Sequence, residues 1–251
     1  MADNKLLGAG GLYYGGNEIS KAYMGNNLVW EKVIDYSKEY FCVEALENCN
    51  VTFTPFKPIQ IIYYIADEEI TSNEIYNGIQ NGTLSYRIFN ADSTTTYSFV
   101  SLTTGKKLYI IGDKENIGGS TKRRVFSFSG RVNLLGNIMS LSHGMTTNTR
   151  VLTIPSELPN KNFNSSFTYQ FGLLFYNNST IEDTGNLILP ATTLAKSCYS
   201  YMFSNCTSLT TAPSLPATTL ANYCYDDMFN GCTGLTTAPE LPATTLATNC
   251  Y

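Results

Sequence analysis

From Leu189 onward the chain repeats itself every 26 residues. Residues 189–214 read LPATTLAKSCYSYMFSNCTSLTTAPS, residues 215–240 read LPATTLANYCYDDMFNGCTGLTTAPE, and a third copy runs from Leu241 to Tyr251. A fixed period of this size marks units that cannot bury an apolar face alone and must stack on their neighbours. An earlier, decayed copy aligns residues 173–181 (LLFYNNSTI) with residues 201–209 (YMFSNCTSL), with two extra residues before Leu189. It is expected to act as an irregular first coil, and residues 146–188 as a linker and degenerate capping repeat.

Each unit reads as a short helix followed by an extended stretch. Thr192 or Thr193 caps the helix by accepting a free backbone N–H. Leu194, Ala195, Cys198, Tyr201 and Met202 follow at helical spacing. Asn205-Cys206 and Gly231-Cys232 close the helix, and Leu209, Ala212 and Leu215 continue as a strand ended by Pro216. The expected product is an α/β solenoid over residues 189–251, with a strand on one side and a helix on the other. Its core is predicted to hold Leu194, Cys198, Met202, Leu209, Leu220, Cys224, Met228, Leu235, Leu246 and Cys250. Five of the seven cysteines, at 198, 206, 224, 232 and 250, occupy fixed places in the repeat. Helices stacked ~8–10 Å apart hold equivalent residues too far apart for a disulfide, which needs Cα atoms within ~7 Å. Reduced, buried thiols are therefore expected, with a bridge or a metal site as the alternative. Cys42 and Cys49 read as packing residues. The third copy stops inside a repeat, so either the natural chain is longer or a partner covers the exposed end.

The pattern CYxxMFxxCTxLTTAPxLPATTLA resembles the BspA-type leucine-rich repeat of bacterial surface proteins, closely over residues 189–251 and loosely over 173–190. The resemblance implies adhesion and protein–protein contact rather than catalysis.

Residues 1–35 form a different region. Gly15-Gly16-Asn17 and Gly25-Asn26-Asn27 are turn signals between β-prone runs, and the two halves match at an offset of ten residues. A three-stranded β-meander over residues 12–14, 19–24 and 28–31 is predicted, too small to form a core alone. Tyr13, Tyr14, Ile19, Tyr23, Leu28 and Trp30 carry more apolar surface than such a unit hides, which marks a docking surface. Packing on the next domain of the same chain is the alternative. Tyr14, Gly16, Ile19, Lys21, Tyr23, Gly25, Leu28, Val29, Trp30, Glu31 and Lys32 form a stretch that resembles the opening segment of tail and other virion proteins of tailed bacteriophages. That resemblance implies anchorage to a virus particle. No basic region, apolar core and cleavage site mark a secretory signal at the start, so synthesis in a host cytoplasm is expected.

Between these regions, residues 36–145 carry strand-length runs separated by polar turns, at 40–46, 50–54, 60–65, 84–89, 97–102, 107–111, 125–128 and 132–135. They predict an antiparallel β-sandwich. The segments YFCVEALEN and GRVNLLGNIMSL resemble the spacer that precedes such repeats in phage and prophage proteins. The fold class expected for the whole chain is therefore mainly β.

Composition narrows the function. Hydrophobic residues make up 43% of the chain, enough for a core, but charged residues only 14% against the ~25% usual in soluble domains. A net charge of −4 gives no electrostatic grip on nucleic acid. The longest apolar run, at 59–66, is far short of the ~20 residues of a membrane helix, so no membrane insertion is expected. The single histidine, His143, reads as a loop residue and cannot furnish a two-histidine metal site. Asp67-Glu68-Glu69 reads as a solvated turn, and Lys122-Arg123-Arg124 with Arg131 as a solvated edge. Gly118-Gly119-Ser120 lacks the Lys of a phosphate loop, and Asp113-Lys114-Glu115-Asn116 lacks calcium-loop spacing. No catalytic, cofactor or metal site is expected. The chain reads as a structural component of a phage virion, a homo-oligomer in the particle. Its N-terminal segment would contact other virion proteins, and its repeats a host surface protein, a glycan or another virion protein. The alternative is a BspA-like adhesin of a bacterial surface.

Overall fold

A computed structural model of the chain describes the backbone of five short strands before residue 32, and then residues 35, 38–91, 94–112, 117–120, 124–143, 163 and 168–251. It divides into two compact units, Met1–Asp35 and Tyr36–Tyr251. The described residues are mainly β, in line with the class expected from the sequence.

The first unit contains β1 (Leu6–Leu7), β2 (Gly11–Tyr14), β3 (Asn17–Ile19), β4 (Lys21–Met24) and β5 (Asn27–Glu31). β1, β2 and β3 form one antiparallel sheet, and β4 and β5 form a separate hairpin. Tyr14 pairs with Asn17 and Met24 with Asn27, so the ten-residue offset in the sequence corresponds to two hairpins in succession. The run expected as one strand over 19–24 is divided between β3 and β4, which belong to different sheets.

The second unit opens with two facing sheets. The larger has the order β14-β13-β6-β11-β8-β9, with β15 also paired to β13. Its strands are β6 (Phe41–Ala45), β8 (Ile59–Ala66), β9 (Arg87–Ala91), β11 (Lys107–Gly112), β13 (Val132–Asn137), β14 (Ile181–Asp183) and β15 (Leu187–Ile188). The smaller has the order β10-β7-β12, from β7 (Cys49–Phe53), β10 (Tyr97–Leu102) and β12 (Phe126–Phe128). Their inner faces share one core, in which Phe53 packs 4.9 Å from Phe126 and 6.1 Å from Phe99, and Phe41 lies 6.2 Å from Phe126. Strand alternation explains the facing: on β7, Cys49, Val51 and Phe53 are buried while Asn50 is exposed.

An α-helix that the strand reading does not foresee, α1 (Ser72–Gln80), covers the outer face of the larger sheet. Its Ile75 is buried among Tyr40, Cys42, Ile62, Tyr109 and Leu135. A reciprocal capping box starts it: Thr71 Oγ1 accepts the Glu74 N–H, and the Glu74 carboxylate accepts the Thr71 N–H. The Ser72 N–H donates to the buried Glu39 carboxylate, which gains from the positive end of the helix. A single helical turn, α2 (Ser140–His143), follows β13, so His143 ends a helix rather than sitting in a loop.

Both sheets then run directly into the repeats. β14 and β15 lie parallel on β13, and Thr184 N–H and Thr210 N–H link this edge to the next copy through Thr211 O and Glu182 O. On the other side, the N–H groups of Val125 and Phe126 donate to Leu174 O, and those of Gly118 and Gly119 donate to Gln170 O and Gly172 O. A Cβ on Gly118 would meet Gly172 N at 2.4 Å, so this close approach requires glycine. Phe175 sits at the seam, 5.8 Å from Phe41, 6.2 Å from Phe126 and 5.4 Å from Phe203. Boundaries near 145 and 188 therefore separate no cores: one cluster of buried residues extends from Phe41 to Cys250.

The helix expected in each repeat is absent. Residues 195–206 form a ribbon of consecutive turns in which alternate amides take two kinds of partner. The N–H groups of Cys198, Ser200, Met202, Ser204 and Cys206 donate three residues back, to Ala195, Ser197, Tyr199, Tyr201 and Phe203. Those of Ser197, Tyr199, Tyr201, Phe203 and Asn205 donate to Asn222, Cys224, Asp226, Met228 and Asn230 of the next copy, at 2.7–3.1 Å. Every fourth residue lies in the left-handed region, with φ of 54° at Ser197, 55° at Tyr201 and 61° at Asn205. Tyr169, Leu173 and Asn177 repeat this one coil earlier, and Tyr223, Asp227 and Gly231 one coil later. A non-glycine residue there costs about 1–2 kcal/mol, so the ribbon depends on the bonds between coils to hold it. Thr192 and Thr193 cap nothing helical; Thr193 bridges Thr219 of the next copy, and Thr192 O accepts from Thr218 and Thr219. The expected strand after Leu209 is reduced to a single bridge at Thr211.

Because Phe175 joins sheets and coils in one core, residues 36–251 should unfold in a single transition. Phe175→Ala should destabilise the whole of it by about 3–5 kcal/mol. Coincident loss of near- and far-ultraviolet circular dichroism, with a lowered midpoint, checks this; two separate transitions would refute it.

Candidate interaction surfaces

Within the coils, the apolar pairs Cys198-Tyr199 and Met202-Phe203, and then Cys206, are all fully buried. Each aromatic stacks on its counterpart in the next coil. Phe171, Tyr199, Tyr225 and Tyr251 form one column at spacings of 5.8, 5.6 and 5.9 Å, with rings within 13° of parallel. Phe175, Phe203 and Phe229 form a second column at 5.4 and 5.8 Å. Stacks this close require coils one β-strand spacing apart, not the wider separation of packed helices. Each ring pair adds about 0.5–1.5 kcal/mol beyond area burial.

Of the residues expected in the repeat core, Leu194, Cys198, Met202, Leu209, Cys224, Met228 and Cys250 are buried. Leu220 and Leu235 are partly buried against the same cluster. Leu246 is not in the core: it is 67% exposed, because no described residue lies over the last coil at that position. The same end exposes Leu241 at 48% and Tyr251 at 40%.

All seven cysteines are buried and unbridged. The separation argument that excluded disulfides does not hold, since neighbouring coils lie within backbone hydrogen-bonding distance. The thiols are instead held as donors along the stack. Cys224 Sγ donates to Cys250 O at 3.5 Å, Cys206 Sγ to Phe175 O at 3.3 Å and Cys232 Sγ to Phe203 O at 3.0 Å. Burial is the main cause that pushes their acidity down, raising Cys206 to about 12 and Cys232 to about 11, so they stay protonated and poor nucleophiles. The hydroxyls of Tyr199 and Tyr225 are buried without a hydrogen-bond partner among the described residues.

The outer surface of the coils is poor in charge and rich in hydroxyls. Thr192, Thr218 and Thr244 recur in exposed positions, as do Thr207 and Thr233. Lys196, Asp226, Asp227 and Glu240 are the charged side chains of residues 189–251. Lys196 Nζ lies 5.9 Å from the centre of the Tyr223 ring, a cation–π contact between adjacent coils. Tyr201 donates to the Asp227 carboxylate, which is the chief reason its hydroxyl is pushed up to about 12. A second uncharged surface lies on the outer face of β10-β7-β12. It is a groove of about 500 Å³ lined by Asn50, Thr52, Ser98, Ser101, Ser127 and Ser129. Ser101 Oγ donates to Asn50 Oδ1 at 2.7 Å, and the Asn50 N–H donates to Ser129 Oγ at 2.8 Å.

The charged candidates resolve into structural roles. Asp67 pairs with Lys106, and Glu68 and Glu69 are exposed. Arg124 donates to Asn177 O at 2.6 Å, and Arg131 lies between Glu47 and Glu182 at 3.3 and 3.0 Å. Lys122, Arg123 and residues 113–116 lie outside the described residues. Burial would raise the Glu44 carboxyl, but the ammonium of Lys107 and the amide of Asn133 outweigh it and hold the carboxyl below its usual value. Among the described residues, no cluster of His, Cys, Asp and Glu is placed to hold a metal ion, and no helix is long and apolar enough to cross a membrane.

In the first unit, Tyr13 and Tyr14 lie on β2, Ile19 on β3, Tyr23 on β4, and Leu28 and Trp30 on β5. Tyr13 pairs in register with Glu18, Ala22 with Trp30 and Tyr23 with Leu28, which brings three of the six docking candidates onto one hairpin. Their side chains lie outside the described residues. Comparison of the chain with known protein families, with curated proteins and with solved structures finds no match.

Two outcomes follow from the coil interior. In the folded protein at pH 8 a thiol reagent should label none of the seven cysteines, with all seven reacting after denaturation; rapid native labelling of any repeat cysteine would contradict the described packing. Tyr225→Phe should leave stability unchanged or raise it by about 1 kcal/mol, because it removes a buried hydroxyl without a partner. Thermal melts against the parent chain read this directly.

Proposed function

We propose that this chain is a structural component of a tailed-phage virion, anchored by residues 1–35 and presenting residues 189–251 as a leucine-rich-repeat solenoid of the BspA type. The solenoid adheres to a host surface protein, a glycan or another virion protein. The observation that carries this reading is the stack of near-identical 26-residue coils with an exterior almost free of charge. Such an exterior binds by shape and by many weak polar contacts. Threonine hydroxyls in exposed, repeating positions suit sugar hydroxyls or a partner's backbone. Resemblance of the N-terminal stretch to virion opening segments supplies the particle. Four aromatic residues on three short strands, Tyr13 and Tyr14 on β2, Tyr23 on β4 and Trp30 on β5, support a docking role for that unit. The chain acts without catalysis on this reading, which is supported by thiols that are buried and protonated and by Glu44, Glu47 and Glu182 being engaged in ion pairs.

A BspA-like adhesin of a bacterial surface is the second reading, and the repeats favour it equally. The two differ in where the chain is found. Mass spectrometry of purified phage particles should detect it, and removal of residues 1–35 should abolish its incorporation while leaving residues 36–251 folded by circular dichroism. Absence from particles together with recovery in bacterial envelope fractions would select the adhesin.

A further inference from the structure

We propose that the chain closes an intramolecular amide bond between the side chains of Lys107 and Asn133, with Glu44 carrying the protons. This is a single self-modification rather than turnover, and it is independent of the virion reading.

Sheet topology brings the three groups together. β6 lies between β11 and β13, and Glu44 pairs in register with Lys107 on one side and with Asn133 on the other. Directly opposite residues share a face of the sheet, here the face that carries Cys42, Tyr109 and Leu135. Lys107 Nζ donates to Glu44 Oε1 at 2.5 Å, and Asn133 Nδ2 donates to Glu44 Oε2 at 2.9 Å. One carboxylate therefore holds an amine on one oxygen and a carboxamide on the other. With side chains 11% and 26% exposed, Lys107 and Glu44 form the most sheltered ion pair among the described residues. Reach permits the bond. Two strand spacings, ~10 Å, separate β11 from β13. An extended lysine stem covers ~6 Å of that, asparagine ~2.5 Å and the new C–N bond ~1.3 Å.

The chemistry balances without a co-reactant. Glu44 takes a proton from the Lys107 ammonium and frees the Nζ lone pair, which attacks Asn133 Cγ. As the Nζ–Cγ bond forms, the proton on Glu44 passes to Nδ2; the Cγ–Nδ2 bond breaks and ammonia departs. The carboxylate then takes the surplus proton from Nζ and gives it up to the ammonia. An ammonium and a carboxamide become an amide and an ammonium ion, nothing is oxidised or reduced, and Glu44 ends as it began. Holding both reactants on one carboxylate makes the step effectively unimolecular. The pairing keeps the Glu44 carboxyl below its usual value, so the free amine forms seldom and the bond forms slowly; a reaction that happens once needs no speed. Its product ties β11 to β13, the strand on which β14 and β15 begin the coils.

Mass spectrometry of the full chain, aged for days at pH 8, reads the bond directly. The chain should lose about 17 Da, one ammonia, and a tryptic digest should contain residues 107–114 joined to residues 132–150. A succinimide also loses ammonia but joins no peptides. Lys107→Arg keeps the charge without a comparable nucleophile and should show neither sign. Glu44→Gln should slow bond formation at least about a hundredfold. An unchanged mass with the two peptides recovered separately from the parent chain would overturn the proposal, and that measurement needs no variant to fold. Bond formation at the parent rate in Glu44→Gln, with matching circular dichroism, would overturn the part given to Glu44.

Discussion

The bonds that run from each coil to the next control the rest of this structure. A ribbon with a left-handed residue at every fourth position would not persist alone. It persists because alternate amides reach across to the neighbouring coil, so that every backbone N–H from Ser197 to Cys206 has an acceptor. The spacing set by those bonds is what allows identical aromatics to lie flat on one another, and it is what buries cysteine and methionine completely in a ribbon with no helix or strand of its own. Interior and backbone are therefore satisfied by the same neighbour, and neither can form without it.

That dependence needs a starting edge, and the two sheets supply one on each side. The larger sheet lends β13, on which β14 and β15 lie parallel; the smaller lends Val125 and Phe126, which hold the first ribbon through Leu174. Gly136, with φ of +77°, marks the point where β13 leaves β6 and takes β15 as partner. A side chain there would meet Tyr40 O at 2.1 Å. The sheets thus serve as the template for the first coil, and Phe175 seals the junction between them from within.

The strands of residues 36–145 were legible because strand-length apolar runs stand between polar turn signals; the run expected at 97–102 coincides with β10, and that at 107–111 falls within β11. The helix α1 was also legible in principle: Thr71-Ser72-Asn73-Glu74 is a capping-box sequence, but its apolar stripe of Ile75 and Ile79 is too thin to stand out. The repeat was misjudged for a more instructive reason. Leu194, Cys198, Tyr201 and Met202 fit helical spacing, yet the residues that point inward come in adjacent pairs four apart, and Tyr199 and Phe203 belong to them while Tyr201 does not. Spacing within one copy cannot separate the two patterns. What could have separated them is the identity of aromatics between copies, since rings conserved in kind and place at each repeat suit direct stacking. Exposure of Leu246 could not be read from its place in the repeat, because it reflects what lies above the last coil and not the local sequence.

Phe171 stands in the first coil where Tyr199, Tyr225 and Tyr251 stand later, and the first interval is two residues longer than the rest. The coil that touches the sheets has diverged to fit them, while the others answer only to one another. A duplicated 26-residue unit therefore finds its seat already shaped by its parent, and each addition lengthens the molecule by one strand spacing, ~4.8 Å, without altering its cross-section. Reach can change in fixed increments by copying a short stretch of gene, while the lateral surface keeps the same relief at every level.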